Sequence, residues 1–118
     1  MAHEPLNRMV QATVVSLIGL REVYRSEAAF RQELLVLLLV IPAAWILTST
    51  GVERALLIGS WMLVLVVEMV NSAIEAAIDR IGTESHELSR KAKDLGSAAV
   101  FCAIVFSVVV WMLVLFSA

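Results

Sequence analysis

The sequence predicts an all-α membrane protein, with three transmembrane helices preceded by an N-terminal amphipathic surface helix. Composition is the first reason: 60% of the 118 residues are hydrophobic, 17% are charged, and the mean hydropathy is +0.88. Soluble domains are about 45–50% apolar and about 25% charged. The second reason is that the apolar residues form three long runs, and the third is the amphipathic pattern of the residues before them.

Length, charge and cysteine content limit the number of domains, the partners and the kinds of site that the chain can have. The chain is long enough for a single membrane domain, residues 1–118. A formal net charge of -2 provides no electrostatic basis for binding nucleic acid, so we expect no such partner. The single cysteine, Cys102, excludes an internal disulfide framework and a multi-thiolate metal site.

The predicted surface helix covers about residues 5–25. At 100° per residue, apolar side chains such as Leu6 and Leu17 share one face, and polar side chains such as Arg8 and Glu22 share the other. This pattern favours a helix that lies in the cytoplasmic interface of the membrane, and a short soluble helix is the alternative.

Three hydrophobic runs predict the membrane spans. The last run is uncharged over residues 96–118, and its 23 residues would form a helix roughly 34 Å long, enough to cross hydrocarbon roughly 30 Å thick. Ser26 is a candidate cap for the first span, and Pro42 is expected to kink it. The spans are predicted at about residues 28–50, 54–80 and 94–117.

The basic residues predict the orientation of these spans. Four arginines lie within residues 1–33 and four Lys or Arg residues lie within 80–94, whereas the connection between the first two spans carries only Arg54. The positive-inside rule then places the N-terminus and the 80–94 loop in the cytoplasm and the C-terminus on the opposite side.

One face of the second span carries polar residues that do not suit a membrane interior. Glu68, Asn71, Ser72, Glu75 and Asp79 lie at spacings that keep all five within about 100° of arc on a helix. A carboxylate at membrane depth costs several kcal/mol unless it is paired, neutralised or metal-bound. The pattern therefore favours a functional role for the two glutamates, while the aspartate could simply lie at the interface.

Further carboxylates flank the start of the first span and occupy the 80–94 loop. Without a Cys or His cluster, they suit a hard cation such as Mg²⁺ or Ca²⁺. Carboxylate-bound Mg²⁺ with nearby lysine could hold a nucleoside triphosphate, although neither a P-loop nor a kinase glycine loop is present. Transport of protons or cations fits these observations about as well as catalysis. The additional acidic residues are Glu27, Glu33, Glu84, Glu87 and Asp94.

Two polar blocks carry a family resemblance. The stretch EMVNSAIEAAIDRIGTESHELSRKAKDLGSAA at residues 68–99, together with EAAFRQE at residues 27–33, closely resembles the prokaryotic integral-membrane diacylglycerol kinases. The resemblance implies a homotrimer with active sites shared between subunits in the bacterial inner membrane, with the C-terminus periplasmic. It also implies Mg²⁺-dependent transfer of the ATP γ-phosphate to 1,2-diacylglycerol, giving phosphatidate. Relatives that phosphorylate undecaprenol leave the lipid acceptor open, and a small cation or proton transporter is a third possibility.

The resemblance also assigns roles to individual residues. Glu68 takes the position of the general base, and Glu27 and Glu75 take the positions of the Mg²⁺ ligands. Asn71 and Asp79 are expected to support the site. The expected ATP contacts are Arg8, Glu27, Glu75, Glu84, Ser85, His86, Lys93 and Asp94. The expected lipid-substrate contacts are Ala29, Phe30, Arg31, Gln32, Glu33, Glu68 and Ser97.

Overall fold

The computed structural model describes residues 4–82 and 84–117, and all regular structure in these residues is helical. The predicted fold class is confirmed, because three of the four helices are long and apolar enough to cross a membrane. The helices are α1 (Pro5–Ser26), α2 (Ala28–Leu47), α3 (Gly51–Ile81) and α4 (Glu87–Phe116), and the last three are the potential spans.

Helix α1 is almost entirely exposed within the single chain. Pro5 begins the helix, because its fixed φ suits a helix and the first helical position needs no N–H donor. Val23 is the buried residue of α1. Its end is held by Arg31 of the next helix, whose Nη1 donates to the carbonyl oxygens of Tyr24 and Arg25 at 2.7 and 3.1 Å. The exposed apolar face of α1 therefore remains available to a membrane surface.

The short break between α1 and α2 falls at Glu27, whose backbone is extended. Ser26 was a candidate cap for α2, but this prediction is wrong. Its hydroxyl instead donates back to the carbonyl of Glu22 at 2.8 Å, which closes the last turn of α1. Helix α2 continues through Pro42 as one element.

Helix α3 is the longest element, with 31 residues. Thr50 caps its start, because the Thr50 hydroxyl accepts from the backbone N–H of Glu53 at 3.2 Å. At about 1.5 Å per residue the helix is about 46 Å long, well beyond a hydrocarbon layer of about 30 Å. One end of α3 can therefore carry its polar residues out of the hydrocarbon.

Helix α4 begins earlier than the predicted third span. His86 caps its start, because Nδ1 of the imidazole accepts from the backbone N–H of Leu88 at 3.0 Å. The second half of the predicted 80–94 loop is therefore helical. Arg90 is then spaced to pair with Glu87 and Asp94 across single turns, at 2.5 and 2.7 Å.

Buried polar contacts join α3 to α4 inside the apolar region. The hydroxyls of Ser60 and Ser107 lie 3.0 Å apart and share a hydrogen bond, and both residues are buried. Trp111 adds a second contact, since its indole Nε1 donates to the carbonyl of Leu57 at 3.2 Å. Each group thus finds a partner within the protein, as hydrocarbon surroundings require.

Candidate active site

The polar face of α3 meets the start of α2 near Glu68. Glu68 is buried, with 7% of its surface exposed, and Leu65, one turn earlier on α3, packs with Phe30 of α2. Glu27, at the α1–α2 break, and Glu75 of α3 line the same cavity. The predicted polar face of α3 therefore meets the start of α2, and the two resembling blocks form one cluster.

Asn71 links this cluster to Glu75. Its Nδ2 donates to Oε1 of Glu75 at 3.3 Å, one helical turn further along α3. Gly96 of α4 packs against the same amide, because a β-carbon placed there would overlap Oδ1 of Asn71. The absence of a side chain at this position allows α4 to approach α3 closely.

A cavity of about 830 Å³ lies between α1, the start of α2 and the outer part of α3. Glu27 and Glu75 both line it, and neither takes part in an ion pair with any residue in the described part of the chain. Together with Glu22 they give the cavity three unpaired carboxylates, whose oxygens are the ligands that a hard cation prefers, although the described residues contain no cluster of three or more His, Cys, Asp or Glu side chains that could hold one ion. The remaining lining residues are Ser16, Gly19, Leu20, Glu22, Val23, Ser26, Met69, Ser72, Ala73 and Ala76.

A second cavity, of about 330 Å³, lies at the α3–α4 connection and is lined by Glu84 and His86. Beside the connection, Nζ of Lys93 contacts Oδ1 of Asp79 at 2.8 Å. Lys93 lies before the apolar run of α4, and its hydrogen bond to Asp79 raises the pKa of the ammonium group above its ordinary value. Lys93 is therefore held at the end of α3 as a fixed positive charge.

The other predicted contact residues do not line either of the two cavities. Phe30 is 5% exposed and packs with Val23 and Leu65, so its ring belongs to the core. Arg31 binds the end of α1, and Asp94 pairs with Arg90. Those that remain exposed, apart from both cavity linings, are Arg8, Ala29, Gln32, Ser85 and Ser97.

Sequence reasoning missed two residues that shape the cluster. Gly96 was not singled out, since a glycine near the start of an apolar run carries no signal about its neighbour on another helix. Trp61 is predicted only as part of the second span, and in the structure its indole Nε1 donates to the carbonyl of Glu33 at 2.8 Å. The sequence gives one indication of this contact, because an indole N–H among apolar residues needs a hydrogen-bond acceptor within the protein.

The fold and the acidic residues define a class of protein: a membrane protein with several spans, in which carboxylates line cavities at one end of the helices. The family model described as prokaryotic diacylglycerol kinase matches residues 14–115. The chain therefore belongs to the prokaryotic diacylglycerol kinase family, as the two polar blocks predicted.

Curated relatives support the same assignment. A diacylglycerol kinase of Escherichia coli (strain K12) is 53% identical over 93% of this chain and 90% of its own length. One from Pseudomonas aeruginosa is 47% identical over 93% and 89%, respectively. One from Haemophilus influenzae is 44% identical over 94% of both chains. The similarity thus spans all four helices, and the protein is a multi-pass bacterial membrane protein.

Proposed function

We propose that this protein transfers the γ-phosphate of ATP to the free hydroxyl of 1,2-diacylglycerol, producing phosphatidate at the cytoplasmic face of the bacterial inner membrane. The observation that carries the proposal is the buried Glu68 on the same helix that presents Glu75 to a cavity, which Glu27 also lines. Family membership and the names of the relatives favour this reaction over undecaprenol phosphorylation and over ion transport.

In this proposal Glu68 is the general base. A lipid hydroxyl is a poor nucleophile until a base removes its proton, and a glutamate within hydrogen-bond reach can do so. Glu68 lies seven residues before Glu75, about 10.5 Å along the helix axis. Glu68 would therefore lie deeper in the membrane than Glu75, where a lipid that arrives laterally from the bilayer can meet a nucleotide that arrives from water.

The nucleotide occupies the cavity between α1 and α3. Glu27 and Glu75 would hold Mg²⁺ there, because both carboxylates face the cavity and lack a protein cation within the described residues. When bound, Mg²⁺ supplies positive charge to the phosphate oxygens of ATP. Asn71 keeps Glu75 in place through its hydrogen bond, and Lys93 presents a further positive charge for phosphate.

The remaining assignments follow the family resemblance. Residues 29–33 and Ser97 are proposed to contact the lipid substrate. Arg8, Ser85 and Asp94 are proposed to contact the nucleotide, together with Glu84 and His86, which line the second cavity at the α3–α4 connection. The subunits form a homotrimer with shared sites. The N-terminus and the α3–α4 connection face the cytoplasm, because eight of the nine basic residues lie on that side.

The decisive test is phosphate transfer from γ-labelled ATP to lipid alcohols in mixed micelles containing Mg²⁺. We expect diacylglycerol to be labelled in preference to undecaprenol when the two compete. Glu68→Gln should lower kcat by at least about 100-fold while ATP still binds, since the amide cannot accept the proton. Glu53→Gln makes the same substitution at the far end of α3 and should leave turnover unchanged. Near-normal kcat in Glu68→Gln would show that the base is assigned wrongly.

A further inference from the structure

A single side chain bridges the break between α1 and α2. The two helices are separated by Glu27 alone, so the direction of α1 depends on the backbone of that residue. Arg31, one turn into α2, reaches back across the break. Its Nη1 donates to the carbonyl oxygens of Tyr24 and Arg25 at 2.7 and 3.1 Å. These two hydrogen bonds tie α1 to α2 on either side of the break.

The two carbonyls that Arg31 binds belong to the end of α1, where a helix has no partners of its own for them. The last carbonyl groups of a helix also carry a partial negative charge. In α1 the carbonyl of Val23 accepts from the backbone N–H of Glu27 at 3.0 Å, and the next two carbonyls are those bound by Arg31. A guanidinium group suits them because it supplies both positive charge and several N–H donors. Arg31 therefore caps α1 from another helix.

Few other contacts fix the position of α1. Val23 is its buried residue and packs with Phe30 and Leu65. Among the described residues, the bonds from Arg31 are the only side-chain hydrogen bonds between α1 and another helix, and none of the ion pairs involves α1. The position of α1 within the single chain thus depends on one packed side chain and one arginine.

The position of α1 also determines the shape of the larger cavity. Helix α1 forms one wall of this 830 Å³ space and the outer part of α3 forms the other. Glu22 lies on the first wall and Glu75 lies on the second. A movement of α1 about the break would change the distance between the walls. The hydrogen bonds of Arg31 therefore act on the cavity without touching it.

We propose that Arg31 is a positioning residue that holds α1 at this cavity and so keeps the cavity able to bind a nucleotide. The nucleotide part rests on the proposed kinase function, whereas the capping of α1 does not. When a binding-competent arrangement is populated only part of the time, the apparent affinity falls by that fraction, and saturating ligand restores the arrangement. Loss of the cap should therefore raise the KM for ATP and leave kcat nearly unchanged.

Hydrogen–deuterium exchange in detergent micelles tests the capping without any need for turnover. Arg31→Met keeps an apolar stem but has no donor, and Arg31→Lys keeps a charged donor. In Arg31→Met we expect amides of residues 20–27 to exchange about tenfold faster than in wild type, as fits the loss of hydrogen bonds from a charged group. Arg31→Lys should show a smaller increase. The control Arg21→Met removes an arginine of α1 that forms no side-chain hydrogen bond among the described residues, and it should exchange like wild type. Equal exchange in wild type and Arg31→Met would overturn the proposal.

Steady-state kinetics test the consequence for the cavity. We expect the KM for ATP to rise about tenfold in Arg31→Met, with kcat within about twofold of wild type, as for a site that is correctly formed about a tenth of the time. Arg31→Lys should recover part of the loss, and Arg21→Met should match wild type. A raised KM for diacylglycerol with an unchanged KM for ATP would overturn positioning and leave Arg31 as a lipid contact. An inactive wild type would refute the kinase proposal, and amide exchange would still decide the capping.

Discussion

At the scale of single residues, Gly96 connects α4 to the chemistry of α3. It is buried, and a β-carbon at this position would overlap the Asn71 amide, which in turn donates to Glu75. The alignment of a proposed metal ligand therefore depends on a residue that has no functional group. A displacement of about 1 Å at such a site can cost about 100-fold in rate.

Gly96→Ala should consequently impair catalysis. We expect kcat/KM for ATP to fall by about tenfold or more, because the new methyl group must displace Asn71 and with it Glu75. Gly59→Ala is the matched control, since a β-carbon at Gly59 meets nothing within 4 Å and alanine favours the helix. Steady-state kinetics in mixed micelles provide the measurement, and equal kcat/KM in the two variants would contradict the argument.

At the scale of elements, α3 and α4 are held together by polar contacts in the apolar region. The Ser60–Ser107 hydrogen bond lies deep in both helices, and a lipid environment offers no competing water. Interhelical hydrogen bonds in membrane proteins are nevertheless worth only about 0.6 kcal/mol on average. The two helices thus rely on close packing around Leu57 and Val64 at least as much as on this bond.

A double-mutant cycle measures how much the Ser60–Ser107 hydrogen bond contributes to the stability of the helix pair. We expect Ser60→Ala and Ser107→Ala to show a coupling free energy of about 0.6 kcal/mol, measured by reversible unfolding in detergent micelles. As a control, Ser60→Ala combined with Ser49→Ala should be additive, because Ser49 is exposed on the α2–α3 connection. A Ser60–Ser107 coupling indistinguishable from the control would mean that the hydroxyls do not stabilise the helix pair.

The start of α4 shows that the helix extends beyond the predicted span. The sequence placed the third span at about residue 94 because charged residues precede the apolar run there. Helix formation depends on backbone hydrogen bonds rather than on apolarity, so α4 begins at Glu87, directly after the His86 cap. Arg90 and its two acidic partners then stabilise the exposed first turns.

At the scale of the whole molecule, the distribution of basic residues decides which side of the membrane each connection faces. Next to the α2–α3 connection, Arg54 in the first turn of α3 stacks on the Trp45 ring at 3.9 Å and donates to the Thr48 carbonyl at 3.0 Å. The α1–α2 break and the α3–α4 connection lie near the other eight basic residues. The proposed cytoplasmic side is also the side of both carboxylate-lined cavities.

Labelling of single cysteines in intact cells tests this topology. In a Cys102→Ser background, we expect Ser49→Cys to react with a membrane-impermeant maleimide added from outside, after the outer membrane is made permeable. Ser85→Cys should react only after the cells are lysed, since positively charged connections stay in the cytoplasm. Both substitutions replace one small exposed side chain by another. Labelling of Ser85→Cys in intact cells would reverse the proposed orientation.

Fold class, the polar face of α3 and the family could all be predicted from the order of the residues alone. Hydrophobic runs, helical periodicity and long polar blocks are local properties of the chain, so they can be read without coordinates. The hydrogen bond from Trp61 to the Glu33 carbonyl and the packing of Gly96 against Asn71 became apparent only in the folded chain. These contacts join residues on different helices, and they depend on helix register and side-chain packing, which no local pattern encodes.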